Sequence, residues 1–184
     1  GEYGKVCRLK KSLYALKQSP RAWFSKFSEV IQEFGLKKSK CDHSVFYRQT
    51  TTGILLLVVY VDDIVITGSD DTGIVSLKSF LQTRFHTKDL GQLKYFLGVE
   101  VTRSKKGIFM SQRKYILDLL AETGKLAAKP CSTPMIPNVH LTKDEGNPFD
   151  DPERYRRLVG KLNYLTVMTR PDIAFPVSIV SQFM

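Results

Sequence analysis

The run LLLVVYVDDIVITG, residues 55 to 68, sets two adjacent carboxylates, Asp62 and Asp63, inside the most apolar stretch of the chain. A buried carboxylate is costly unless it is paired, protonated or bound to a cation. The flanking segments, Ile54 to Val61 and Ile64 to Thr67, are rich in β-branched residues and read as strands. Strand side chains alternate between faces, so two adjacent aspartates can serve one site only where the backbone reverses. The simplest reading is an antiparallel meander of Ser44 to Arg48, Ile54 to Val61 and Ile64 to Thr67, with Asp62 and Asp63 in its second turn.

Helical periodicity brackets that meander. Ser19 reads as an N-cap and Pro20 as the first helical residue, and Trp23, Phe27, Val30, Ile31 and Phe34 then recur at helical spacing up to Gly35. Asp70 to Phe85 is amphipathic, with Ile74, Leu77, Leu81 and Phe85 on one stripe. Val6 to Leu9 is a short strand candidate, and Tyr95 to Thr102 with Ile108 to Met110 read as a second hairpin around SKKG. Ser111 is the expected cap of a helix ending at Gly124. A Pro-rich, weakly patterned loop spans 125 to 150. Asp151 and Pro152 open a long helix with Tyr155, Leu158, Val159, Leu162 and Leu165 on its apolar face. A shorter one follows Pro171, with a kink or late start expected at Pro176. The class is α+β, antiparallel strands first and helices last.

With 28 Lys and Arg against 18 Asp and Glu, the formal charge is +10, which favours a polyanionic partner and nucleic acid over a membrane surface. No apolar stretch reaches the ~20 residues of a membrane span, the longest being broken at Asp62. Cys7, Cys41 and Cys131 are odd in number and far apart, which suits a reducing compartment, intracellular in cytoplasm or nucleus, rather than secretion. His43, His86 and His140 are equally scattered. The opening Gly1-Glu2-Tyr3 has neither initiator Met nor signal peptide, and the chain is expected to be a fragment of a longer one.

Adjacent carboxylates on a hairpin backed by apolar strands are rigid hard-oxygen ligands of the kind Mg²⁺ takes together with phosphates and water. In two-metal phosphoryl transfer one ion activates the attacking hydroxyl and the other steadies the leaving pyrophosphate. The bland alternative is that Asp-Asp makes a good turn and both side chains are solvated.

The residues around YVDD at 60 to 63 decide between these. LKKSLYALKQSPRAWFSKF, CDHSVFYR, YVDDIVITGSD, TKDLGQLKYFLGVEV, SQRKYILDLL, YRRLVGKLNYL and TRPDIAFPVS, in order along almost the whole chain, resemble the reverse transcriptase of copia-type retrotransposons. The resemblance implies part of a right-hand polymerase fold: fingers and palm over residues 1 to 110, including the YVDD hairpin, then a helical thumb-like region over 111 to 184. It implies an RNA-directed DNA polymerase using Mg²⁺, with Mn²⁺ as a substitute, an RNA or DNA template-primer and deoxynucleotides, within a Pol polyprotein. Asp62 would be a principal metal ligand and Asp63 its weaker companion. Tyr14, Ala15, Gln18 and Tyr60 would lie near the nucleotide, and Leu97, Gly98 and Val99 beside the primer backbone. Lys88 falls near a proton-donating lysine for pyrophosphate. Arg103, Lys105, Lys106, Arg113 and Lys114 would contact phosphates without reading sequence.

The chain also departs from the family pattern. Ala15 stands where Gly is usual, and Gly suits positions of close backbone approach or positive φ. LTVMTRPDIAFPVS carries one residue more than the usual LTVTRPDIAFAVS and has Pro176 for Ala; an insertion in a continuous helix rotates everything beyond it by about 100°. A third carboxylate belongs upstream of the first matching block, and between Gly1 and Lys10 the only acid is Glu2. These 184 residues alone are therefore expected to bind nucleic acid weakly and not to polymerise. A non-catalytic transposon-derived remnant with only a nucleic-acid-binding surface is the competing reading. A nucleotidyl cyclase or other palm-like phosphotransferase would explain the hairpin carboxylates but not the copia-like blocks.

Overall fold

A computed structural model describes the chain except for residues 1–3, 5–7, 11, 12, 14, 143–145 and 148. The α+β expectation holds, with two antiparallel sheets and five α-helices among the described residues. The chain forms two compact units, Gly1–Gly91 and Gln92–Met184. Of the strand expected at Val6 to Leu9, Val6 and Cys7 lie outside the described residues, and Arg8 and Leu9 have no regular structure.

In the first unit, helix α1 (Ser19–Glu33) leads into strands β1 (Lys37–Lys38), β2 (Val45–Thr50), β3 (Gly53–Tyr60) and β4 (Asp63–Gly68), then helix α2 (Asp71–Arg84). The four strands form one antiparallel sheet in chain order, the meander read from the sequence. Alternation along β3 buries Leu55, Leu57 and Val59 on one face, against Phe27 and Ile31 of α1 and Leu77 and Leu81 of α2. Phe46 of β2 is fully buried among them and meets Phe27 edge-on, with ring centres 6.0 Å apart. Each such side chain contributes about 1.5–3 kcal/mol by leaving water. Both helices of this unit cover the same face, and on the other face Leu56, Val58 and Val65 are partly buried while Tyr60 and Asp63 are exposed.

The helix caps differ from expectation at the start of α1. Ser19 lies inside the helix, its Oγ donates to the Leu13 carbonyl at 3.0 Å, and Gln18 occupies the cap position without a side-chain bond. Phe34 and Gly35 end the helix in a Schellman motif, the Leu36 amide reaching Ile31 O and the Gly35 amide reaching Gln32 O. The helix expected from Asp70 begins at Asp71, with Asp70 as its N-cap accepting from the Gly73 amide at 2.9 Å. Arg48 of β2 ties this corner together, since it reaches Asp70 Oδ2 at 3.7 Å and donates to the Phe34 carbonyl at 3.3 Å.

The second unit contains strands β5 (Tyr95–Phe96), β6 (Val99–Ser104) and β7 (Gly107–Ser111) and helices α3 (Arg113–Glu122), α4 (Pro152–Met168) and α5 (Ala174–Ser181). The expected single strand from Tyr95 to Thr102 is instead broken at Leu97-Gly98, because Phe96 pairs with Val99 across a two-residue turn. Ser111 does not cap α3: it ends β7, and its Oγ donates to Glu100 Oε2. That carboxylate also accepts the Lys114 amide, so α3 is capped from across the sheet. Asp151 does cap α4, accepting from the Arg154 amide. Pro176 falls in the first turn of α5, where no intrahelical amide bond is required, after a 3₁₀ turn over Pro171–Ile173. The late start is the form its accommodation takes. The described residues between 125 and 150 form no helix or strand. Among the described residues no helix is long and apolar enough to cross a membrane.

Candidate active site

The β3–β4 hairpin closes with a pair between Tyr60 and Asp63, leaving Val61 and Asp62 as a two-residue turn. Asp62 is therefore the turn residue, whereas Asp63 opens β4 rather than sharing the turn with it. Ile64 faces Val59 and Ile66 faces Leu57 on the packed side, so the Tyr60 and Asp63 pair falls on the other side of the sheet. Both carboxylates and Tyr60 are exposed. Among the described residues neither Asp62 nor Asp63 has an ion-pair or hydrogen-bonded side-chain partner, and no three His, Cys, Asp or Glu gather as a metal cage. The burial problem posed by the apolar run is solved by geometry: the strands are buried and the carboxylates project beyond them.

The turn itself carries strain. Val61 has φ +53°, a left-handed conformation that a β-branched residue rarely adopts, while Asp62 does not share it. Positive φ at the first central position alone is the II′ hairpin pattern, in which Gly is usual. Such an outlier costs of order 1–3 kcal/mol and persists only where surrounding packing over-determines it. Below the turn the register runs unbroken from Tyr60–Asp63 down to Leu55–Gly68. No composition or periodicity signal marks Val61.

The residues ahead of α1 are partly described. Tyr14 lies outside the described residues. Ala15 has φ +71°, so the position where the family pattern has Gly does take a left-handed backbone here, with Ala in it. Gln18 sits at the helix start, exposed, and its carbonyl accepts the Ala22 amide. Lys88 is exposed in the segment after α2. Its neighbour Asp89 is anchored by Lys78 at 3.1 Å and by the Gly91 amide at 2.8 Å. These contacts hold the Asp89 carboxyl below its ordinary range, the Gly91 amide first and the Lys78 hydrogen bond second.

In the second unit, Leu97 and Gly98 form the β5–β6 turn with φ +50° and +82°, the I′ hairpin pattern. Val99 is buried, so its side chain belongs to the interior and only its backbone can face a ligand. The five cations do not form one cluster. Register pairs Glu100 with Ser111 and Ser104 with Gly107, so Arg103, Lys105 and Lys106 lie at the far end of the hairpin from Arg113 and Lys114. At about 3.3 Å per residue the two groups are roughly 13 Å apart along the strands. Lys114 pairs with Asp118 at 2.7 Å, a hydrogen bond that raises its pKa and leaves its charge partly answered.

Comparison with known proteins agrees with the motifs. The family described as reverse transcriptase (RNA-dependent DNA polymerase) matches residues 1–137. The chain is 46% identical over 97% of its length to the retrovirus-related Pol polyprotein from transposon RE1 of Arabidopsis thaliana, of which it covers 12%. It is 37% identical over its whole length to the corresponding polyprotein from transposon TNT 1-94 of Nicotiana tabacum, covering 14% of it. An uncharacterized mitochondrial protein of Arabidopsis thaliana is 42% identical over 71% of the chain, which covers 53% of that protein. The chain thus spans about an eighth of the transposon polyproteins it matches. No solved structure shows a significant match. The matched residues take in the hairpin that presents Asp62 and Asp63, and the chain belongs to the reverse transcriptase family as part of a copia-type reverse transcriptase region.

Proposed function

We propose that this chain supplies the catalytic hairpin and the primer-gripping turn of an RNA-directed DNA polymerase within a Pol polyprotein, acting on a template-primer and deoxynucleotides. One observation supports the reading: two exposed carboxylates, with no hydrogen-bonded or ion-paired side-chain partner among the described residues, stand at the tip of a hairpin whose strands pack on their other face. Asp62 and Asp63 fit hard-oxygen ligation of Mg²⁺ or Mn²⁺ in charge and accessibility. A bound pair of ions would activate the primer hydroxyl and stabilise charge on the pyrophosphate. The chain's own part is to aim the ligands through β3 and β4 and to offer Tyr60 and the Ala15–Gln18 segment to the nucleotide. Lys88, exposed in the segment that Asp89 anchors, is read as a proton donor to the pyrophosphate.

Residues 1–110 are read as partial fingers and palm, and 111–184 as thumb-like. The compact division at Gly91 then assigns the carboxylate hairpin to one unit and the Leu97–Gly98 turn to the other. These 184 residues contain two of the three carboxylates that the resemblance implies, so on their own they are expected not to extend a primer. The test is Mg²⁺-dependent primer extension by a reverse transcriptase region that includes this chain, beside the 184 residues alone. Asp62→Asn should abolish extension in the former, and persistence of activity would remove Asp62 from the site. Extension by the 184 residues alone would overturn their predicted inactivity. The remnant reading is favoured only if the longer region is inert with both aspartates present.

A further inference from the structure

The Leu97–Gly98 turn is held by two tyrosines from different helices of its own unit. Tyr164, half-buried on α4, donates its hydroxyl proton to the Leu97 carbonyl. Tyr115, on α3, lies edge-on to Tyr164 with ring centres 5.5 Å apart. A side chain at Gly98 would meet Tyr115 Cδ2 at 3.2 Å and Tyr164 Cε1 at 3.7 Å, on a backbone already at φ +82°. Leu97, at φ +50°, adopts a conformation that an L-residue leaves unless something retains it. The two helices are themselves joined, Lys161 of α4 to Glu122 of α3, and Thr169 Oγ1 to the buried Gln112 at 2.7 Å.

We propose that Tyr164, through its hydroxyl on the Leu97 carbonyl, and Tyr115, through its ring against Gly98, are positioning residues that hold this turn in the shape a primer terminus meets. The inference rests on the reading of the turn as primer-gripping. Three geometric facts converge on it. The turn is strained, so it needs a restraint. The restraint on Leu97 is a hydrogen bond, which selects the carbonyl's direction as well as its place. The restraint on Gly98 is the Tyr115 ring, packed so close that a Cβ there would stand 3.2 Å from it. Neither tyrosine acts on the primer itself.

The roles differ chemically and so do the variants that test them. Tyr164→Phe deletes the hydroxyl and keeps the ring, Tyr115→Phe deletes an oxygen the turn does not use, and Tyr115→Leu deletes the ring. Two measurements are made on the 184-residue chain: the Leu97 φ from its amide–Hα coupling constant together with its intraresidue amide–Hα NOE, which is strongest at positive φ, and photocrosslinking from a primer whose 3′ nucleotide is 4-thiothymidine in a template duplex. The wild type should show positive φ at Leu97 and a crosslink mapping to residues 97–99. Tyr164→Phe and Tyr115→Leu should shift the coupling and lower that crosslink roughly five-fold, the equivalent of one net hydrogen bond. Total duplex affinity, set by phosphate contacts, should change less than about two-fold. Tyr115→Phe should match the wild type in both. Unchanged coupling and crosslinking in Tyr164→Phe would overturn the inference, as would an equal loss in Tyr115→Phe. A wild-type crosslink absent from 97–99 would overturn instead the primer-gripping reading beneath it, and the coupling constants would still decide whether the tyrosines hold the turn.

Discussion

Replacing Gly68 by Ala should unfold the corner that carries the carboxylate hairpin. Gly68 ends β4 opposite Leu55 at φ +146°. A Cβ there would stand 2.0 Å from the Ile54 carbonyl oxygen and 3.1 Å from Leu55 Cα, both backbone atoms with no rotamer to escape into. That same oxygen accepts the amides of Ser69 at 2.9 Å and Asp70 at 3.3 Å, which lead the chain into the Asp70 cap of α2. Overpacking alone costs roughly 1–3 kcal/mol. The forced backbone conformation adds about 1–3 kcal/mol. Displacing the oxygen also weakens two hydrogen bonds, so the total is at least about 3 kcal/mol. Trp23 is the only tryptophan and stacks on core Phe27 at 5.1 Å, so its fluorescence follows the first unit selectively during urea unfolding. With a slope of about 1–3 kcal/mol per molar urea, the midpoint should fall by about 1 M or more. A shift worth less than about 1 kcal/mol would mean that β3 and β4 slide apart freely at this point, and the rigidity assigned to the hairpin would be wrong.

Ala15→Gly should relieve roughly 1–2 kcal/mol of left-handed strain against a rise of roughly 0.4–1 kcal/mol in unfolded-chain entropy. A small upward shift of the Trp23-monitored midpoint is expected, and a fall would contradict it. Acidification should release the segment holding Lys88: the Asp89 carboxyl sits below 3.8, so its contribution is complete above that pH and disappears as pH falls through the lower folded value. The Gly91 amide resonance should therefore stay fixed from neutral pH to about 4 and move only below it, as an NMR titration would record. If the cations contact phosphates, Arg103→Gln should weaken duplex binding and flatten the logarithmic salt slope by about 0.9. Lys114→Gln should do less, because Asp118 already answers its charge; equal effects in fluorescence anisotropy titrations would refute that difference.

Where local chemistry decides, the sequence was legible. Of the apolar stripe on α1, Phe27, Val30 and Ile31 bury as their spacing requires while Trp23 stays exposed, Asp151 opens its helix as read, and the strands around Asp62 and Asp63 pair as a meander. What escaped depends on groups distant along the chain or on backbone states that the residue type does not announce. Ser111 looked like a cap because a serine preceded a helix, but Glu100, eleven residues earlier, reaches the α3 amide across the sheet. The Leu97–Gly98 break was hidden because a hairpin turn beginning with Leu lacks the Asn-Gly or Asp-Gly signature of the I′ class. Tertiary contact replaces that signature: Tyr164 is 67 residues away and supplies the hydrogen bond that a turn sequence normally makes unnecessary. Val61 is the parallel case in the other unit, a β-branched residue at positive φ in the turn that joins β3 and β4. Both hairpins read as functional thus carry a non-glycine residue at positive φ in the turn, Val61 in one and Leu97 in the other, on strands that pair normally. Local propensity thus fails at the two turns to which the proposed function assigns metal ligation and primer contact, and backbone strain gathered at such turns is what that proposal would require.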